Sequence, residues 1–136
     1  MHVDFLILSD GAQVASDKLY VLGGGWTIVW APDFPLTHNA AIAVGMMVDW
    51  PETNQKHSIE VALVTGDGQQ VGEPLVGGDF EVGRPPGMPP GAAQRFMLAA
   101  AVALNLDKPG PYEIVVRVDG TDVTSASFQA MKVVKP

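Results

Sequence analysis

Residues Pro109 to Gly120 read PGPYEIVVRVDG. Tyr112, Ile114, Val116 and Val118 alternate with Glu113, Val115, Arg117 and Asp119, the period of two that a strand with one buried face requires. Pro109-Gly110 starts this strand sharply, and Asp119-Gly120 returns it as a tight hairpin into a last strand, roughly Val123 to Val134. Such an arrangement is the penultimate strand and closing hairpin of an antiparallel β-sandwich. A two-residue turn there predicts a positive φ at Gly120 and near-neutrality for Asp119→Asn.

Val3 to Leu8 reads as a first strand closed by Ser9-Asp10-Gly11. Leu19 to Leu22 and Trp26 to Trp30 are β-prone runs separated by Gly23-Gly24-Gly25, which marks a bend or a place where another backbone approaches. His38 to Trp50 is a long strand with Ile42, Val44, Met46 and Val48 on one face and only small groups and Met47 on the other. Ile59, Val61 and Leu63 alternate with Ser58, Glu60 and Ala62, and Gln70 to Leu75 and Gly77 to Val82 follow as shorter segments. Arg84 to Gly91, RPPGMPPG, is an exposed connection without regular structure.

Arg95 to Leu106 contains good helix formers, yet its large residues, Phe96, Leu98, Val102, Leu104 and Leu106, recur with period two. A helix scatters them around its circumference, so the segment reads as a strand. The count is about eight strands joined by Gly, Pro, Asp and Asn turns, which is the pattern of an all-β antiparallel sandwich in a single domain over residues 1–136.

Lys and Arg number 8 against 15 Asp and Glu, and the net charge is −7. That surface repels nucleic acid and anionic membrane, so neither is expected as a partner. Cysteine is absent, which excludes a disulfide scaffold. MHVDFLILSD has no Lys or Arg and carries Asp4 and Asp10, so it does not read as a secretory leader, and a cytoplasmic location is expected.

The opening SDGAQVASDKLYVLGGGW, with Asp10, Ala12, Lys18, Leu19, Gly23 to Gly25 and Trp26, together with PGPYEIVVRVDG downstream, resembles an uncharacterised family of small bacterial proteins with immunoglobulin-like or related β-sandwich folds. The resemblance spans nearly the whole chain and implies that fold. It brings no catalytic residue set, cofactor or ligand with it.

The residues themselves point to no catalytic centre. Gly23-Gly24-Gly25 lacks the following Lys and Ser or Thr of a phosphate loop. His2, His38 and His57 are too far apart in sequence for a zinc site and read as surface histidines. No loop gathers the acidic density that calcium needs, and no serine sits in a nucleophile elbow. The expectation is a noncatalytic domain, with no metal or cofactor, that binds protein through self-association. In an immunoglobulin-like order the strands from Ala40 to Trp50 and from Arg95 to Leu106 lie side by side as the second and fifth. Their small faces then join Ala41, Ala43, Gly45 and Met47 to Met97, Ala99, Ala101 and Ala103 in an uncharged patch that a second chain, or else the arm from Leu19 to Trp30, must cover. Trp26, Trp30 and Met88 are the expected ligand or partner contacts; the alternative they support is a carbohydrate or small-molecule module, with an unrecognised hydrolase third.

Overall fold

The computed structural model describes residues 1–134. In chain order the strands are β1 (His2–Ser9), β2 (Gly11–Ala15), β3 (Lys18–Leu22), β4 (Ile28–Ala31) and β5 (Leu36–Val48). A single 3-10 turn, Trp50–Glu52, precedes β6 (Lys56–Thr65), β7 (Val76–Glu81), β8 (Gln94–Leu106), β9 (Gly110–Val118) and β10 (Thr121–Lys132). The protein is therefore all-β. Arg95 to Leu106 is strand, as its period of two requires, and Gln70 to Leu75 contributes only an isolated bridge from Gln70 to Val64.

Two main sheets share one core. The first has the order β1-β5-β8 and the second β4-β10-β9-β6-β7, while β2 and β3 form a separate hairpin. All pairings are antiparallel except that of β4 with β10. β5 and β8 pair without a register break over thirteen residues each, from Leu36 opposite Leu106 to Val48 opposite Gln94. Inward-facing Ile42, Val44, Met46 and Val48 of β5 and Leu104 and Leu106 of β8 meet Val61, Leu63, Ile114, Val116 and Phe128 of the second sheet. Each such side chain, withdrawn from water, contributes about 1.5–3 kcal/mol of hydrophobic stabilisation.

The small outward face of β5 is covered by the chain itself. Ser9, Ile7 and Phe5 of β1 stand opposite Ala41, Ala43 and Gly45, and a Cβ on Gly45 would come within 2.3 Å of the Phe5 ring. At Ser9 the chain reverses, and β2 runs back against β5 and β8. Ser9 Oγ marks the reversal, 3.1 Å from the Gly11 carbonyl and 3.3 Å from that of Ala41. The hairpin closes at Ser16 and Asp17, both with positive φ, as a two-residue turn of the primed type demands. Behind it the triple glycine is a site of close approach: Gly25 N–H donates to the Leu8 carbonyl at 2.8 Å, and a Cβ on Gly23 would meet the Asp10 carboxylate.

The organising stretch forms as its pattern dictates. Tyr112 enters the core near the start of β9, stacks on Phe128 at 5.6 Å, and its hydroxyl donates back to the Lys108 carbonyl at 2.8 Å, pinning the β8–β9 corner. Asp119 and Gly120 both have positive φ, 51° and 80°, so the β9–β10 turn is a tight primed hairpin. Gly120→Val forces a β-branched side chain into the left-handed region and lowers stability by more than about 1 kcal/mol. Urea unfolding of the variant beside the wild type measures this, and equal midpoints at equal slopes refute it.

Candidate functional site

Three features outside the core have chemistry to offer: the exposed edge of β4, a groove where β8 begins, and a charged knot around the 3-10 turn. The β4 edge comes from the sequence IVWA. Its alternation turns Val29 and Ala31 into the core and leaves Ile28 39% and Trp30 58% exposed. Parallel pairing sets Met131, itself 40% exposed, beside Trp30. Gln129 N–H donates to the Thr27 carbonyl and Val133 N–H to that of Ala31, both at 2.8 Å. Residues 27, 29 and 31 thus direct their main-chain groups at β10, and Ile28 and Trp30 direct theirs away from it.

The expected contact residues separate in space. Trp26 is half-buried and packs edge-on against Phe128 at 5.8 Å and His38 at 5.7 Å, whereas Trp30 faces outward. The two indoles do not share a face, because regular alternation begins only at Ile28. Met88 is exposed in the proline-rich connection. Of the expected self-association patch, Ala41, Ala43 and Gly45 are buried within the chain, Ala43 completely. Met47, Met97 and Ala99 are half-buried, and only Ala101 and Ala103 are open to solvent. The cover is β1 and the hairpin that β2 begins; Gly11 to Ala15 escapes sequence reading because GAQVA is short and follows a strong turn signal.

The groove of about 810 Å³ is lined by Val14 and Asp17 of the hairpin tip, by Glu81 to Pro85 after β7, and by Gln94 to Met97. Arg95 is paired with Asp4, and its guanidinium lies 5.8 Å from the Phe5 ring centre. Among the described residues no three His, Asp or Glu side chains gather as a metal site, and no helix is long and apolar enough to cross a membrane.

The charged knot corrects the expectation of a surface His57. That ring is only 6% exposed and stacks beside Phe80. Nδ1 lies 2.8 Å from Asp119 Oδ2 and Nε2 lies 2.8 Å from the Glu52 carbonyl oxygen. Both neighbours are acceptors, so the ring that satisfies both is the imidazolium. The Glu52 carbonyl and then the Asp119 carboxylate hold its pKa above the ordinary 6.5, against burial, which pushes it down. Asp119 is held below 3.8 by the His57 bond first and the Ser58 N–H bond second. Arg84 secures the same turn, donating to the Trp50 carbonyl at 2.8 Å and to Thr53 Oγ1 at 2.6 Å, with its guanidinium 3.9 Å from the Trp50 ring centre. The Met1 ammonium adds bonds of 2.6 Å to Asp49 and Glu52.

Asp119 is therefore more than a turn residue, and Asp119→Asn is not neutral. A raised His57 pKa contributes stability that is complete below about 6.5, the ordinary value, and is lost as pH rises through the folded value. A depressed Asp119 pKa contributes stability present above 3.8 and lost as pH falls through its folded value. Between these limits Asp119→Asn costs about 1 kcal/mol, and in mildly alkaline solution the cost shrinks as His57 loses its proton. Unfolding curves of both proteins across pH test this; a difference that grows toward alkaline pH contradicts it.

Comparison with known proteins adds little chemistry. No curated protein matches the chain. Among solved structures it is similar to Pseudomonas fluorescens alkylpurine DNA glycosylase AlkC bound to DNA containing an abasic site analog, at a TM-score of 0.39 and 16% identity over 76% of this chain. The match spans 27% of the glycosylase chain, and a likeness that weak bears on neither fold nor activity. A family model matches residues 4–131, and the chain belongs to that family, a family of unknown function (DUF6941).

Proposed function

We propose that this protein is a noncatalytic, immunoglobulin-like β-sandwich that acts by binding protein, joining a second copy of itself through the free edge of β4. Strand order supports the fold. β1, β5 and β8 lie together in the order of the first, second and fifth strands of an immunoglobulin domain, and β6, β9 and β10 lie together as its third, sixth and seventh. The Tyr112 hydroxyl bonded back to Lys108 is the corner that such domains carry at the start of the sixth strand.

The observation that carries the binding reading is the exposed pair Ile28 and Trp30 on an edge strand whose main-chain groups at those same residues point outward. An apolar edge of this kind is a template for another strand. A two-fold axis makes one edge serve twice. Antiparallel pairing of two β4 strands sets Ile28 of one copy opposite Trp30 of the other, with main-chain hydrogen bonds at those residues and both side chains on the same face. Met131 flanks the indole and extends the apolar surface. The interface now rests on Trp30 instead of Ala41, Ala43 and Gly45, which the chain buries for itself.

Sedimentation velocity tests the reading. The wild type is expected to be a dimer at micromolar concentration, Trp30→Lys a folded monomer, and Ile28→Pro also a monomer, because proline removes an outward N–H that the fold does not use. A monomeric wild type refutes the proposal, as does a Trp30→Lys variant that still dimerises.

A further inference from the structure

We infer that the groove beside the start of β8 receives an extended basic peptide as an added strand. β8 ends the three-stranded sheet, so one side of its backbone pairs with β5 and the other has no strand beside it. Gln94 to Met97 line the groove of about 810 Å³ together with Glu81 to Pro85 and the hairpin tip with Val14 and Asp17. In a constant immunoglobulin domain a further strand lies next to the fifth. Here the connection between β7 and β8 turns twice, with positive φ at Gly87 and Gly91, and forms no strand. The place beside β8 stays open.

The walls select the occupant. A slot along an unpaired strand edge suits a peptide main chain, with alternate side chains entering the cleft. Val82 and Phe96 give it an apolar lining. Gln94 Nε2 is buried there without a hydrogen-bond partner. Turned toward the groove, that amide has a peptide carbonyl to donate to, which relieves the deficit. Charge sets the sign. Arg95 is neutralised by Asp4, whereas Arg84 bonds only the Trp50 carbonyl and the Thr53 hydroxyl and keeps its charge. Asp17 and Glu81 make no ion pair among the described residues. With Arg95 cancelled by Asp4, Asp17 and Glu81 outweigh Arg84 by one negative charge, on a chain whose net charge is −7, so cationic side chains are favoured beside the apolar ones.

The probe is an acetylated, amidated hexapeptide of alternating lysine and valine, titrated into the full chain and followed by amide chemical shifts and calorimetry. Shifts are expected at residues 94–97 and 81–83. Asp17→Asn combined with Glu81→Gln, both at exposed positions, is expected to weaken binding about fivefold and to flatten its salt dependence. Methylating one alternate set of peptide nitrogens is expected to abolish binding, and methylating the other set to leave it, because an added strand hydrogen-bonds along one side only. The inference is overturned if no shifts appear at millimolar peptide, or if a glutamate-valine hexapeptide binds equally well. It is also overturned if both methylated peptides bind like the parent, which is contact by charge alone, or if the shifts fall on residues 28–31, which assigns the peptide to the β4 edge.

Discussion

The unbroken pairing of β5 with β8 is the constraint on which the other parts depend. A strand presents its side chains alternately to two faces, so one register decides both faces at once. With Ala43 opposite Ala99 and Val44 opposite Leu98, Ile42, Val44, Met46, Val48, Val102, Leu104 and Leu106 turn to the core, and the middle of the outward face is alanine and glycine. A shift by one residue would exchange the faces, exposing Ile42, Val44 and Leu104 and burying alanines. The small outward face then lets other backbone come close. Phe5 lies over Gly45 where any side chain would collide with it, and β2 packs against β5 and β8 beside it, leaving Ala101 and Ala103 open. Burial of Ala41 and Ala43 follows from their size, since larger groups would hold the hairpin away.

At one end of the sheets a short 3-10 turn is held largely by cations. The Met1 ammonium binds the carboxylates of Asp49 and Glu52, His57 binds the Glu52 carbonyl, and Arg84 binds the Trp50 carbonyl and covers its ring. Trp50 to Thr53 arrive from β5 in the first sheet, whereas His57 and Asp119 belong to the second. The knot therefore joins the sheets by directional bonds at a place where the apolar core has ended. Its partially exposed members are screened by water, so each exposed pair adds little; the buried imidazolium with two acceptors is the part that a single substitution disturbs.

The edges divide along similar lines. β1 is bent by a register shift between Val3 and Phe5, an irregularity of the sort that discourages a further strand. β4 is short but carries two exposed apolar side chains, and β8 adjoins a groove lined by Asp17, Glu81, Arg84 and Arg95. One edge is apolar, the other mixed in polarity and charge. The two edges differ in chemistry, so a partner that fits one does not fit the other.

Local pattern in the sequence determined the all-β class, the strands β5, β8 and β9, their inward faces and the tight turn at Asp119-Gly120, because period two and turn chemistry depend on residues adjacent in the chain. The pairing of β5 beside β8 was expected from an immunoglobulin-like strand order and not from any local pattern. Only the tertiary structure decided what lies against those faces. GAQVA carries no signal that it will lie against β5 and β8, and Trp26 and Trp30, four residues apart, part company because β4 begins only at Ile28 and Trp26 lies outside it. His57 reads as a surface histidine beside a polar link, and its burial depends on Asp119, sixty-two residues away, and on a carbonyl whose direction no side-chain pattern encodes. Contacts between distant segments are set by register and packing of the whole, and composition carries no trace of them.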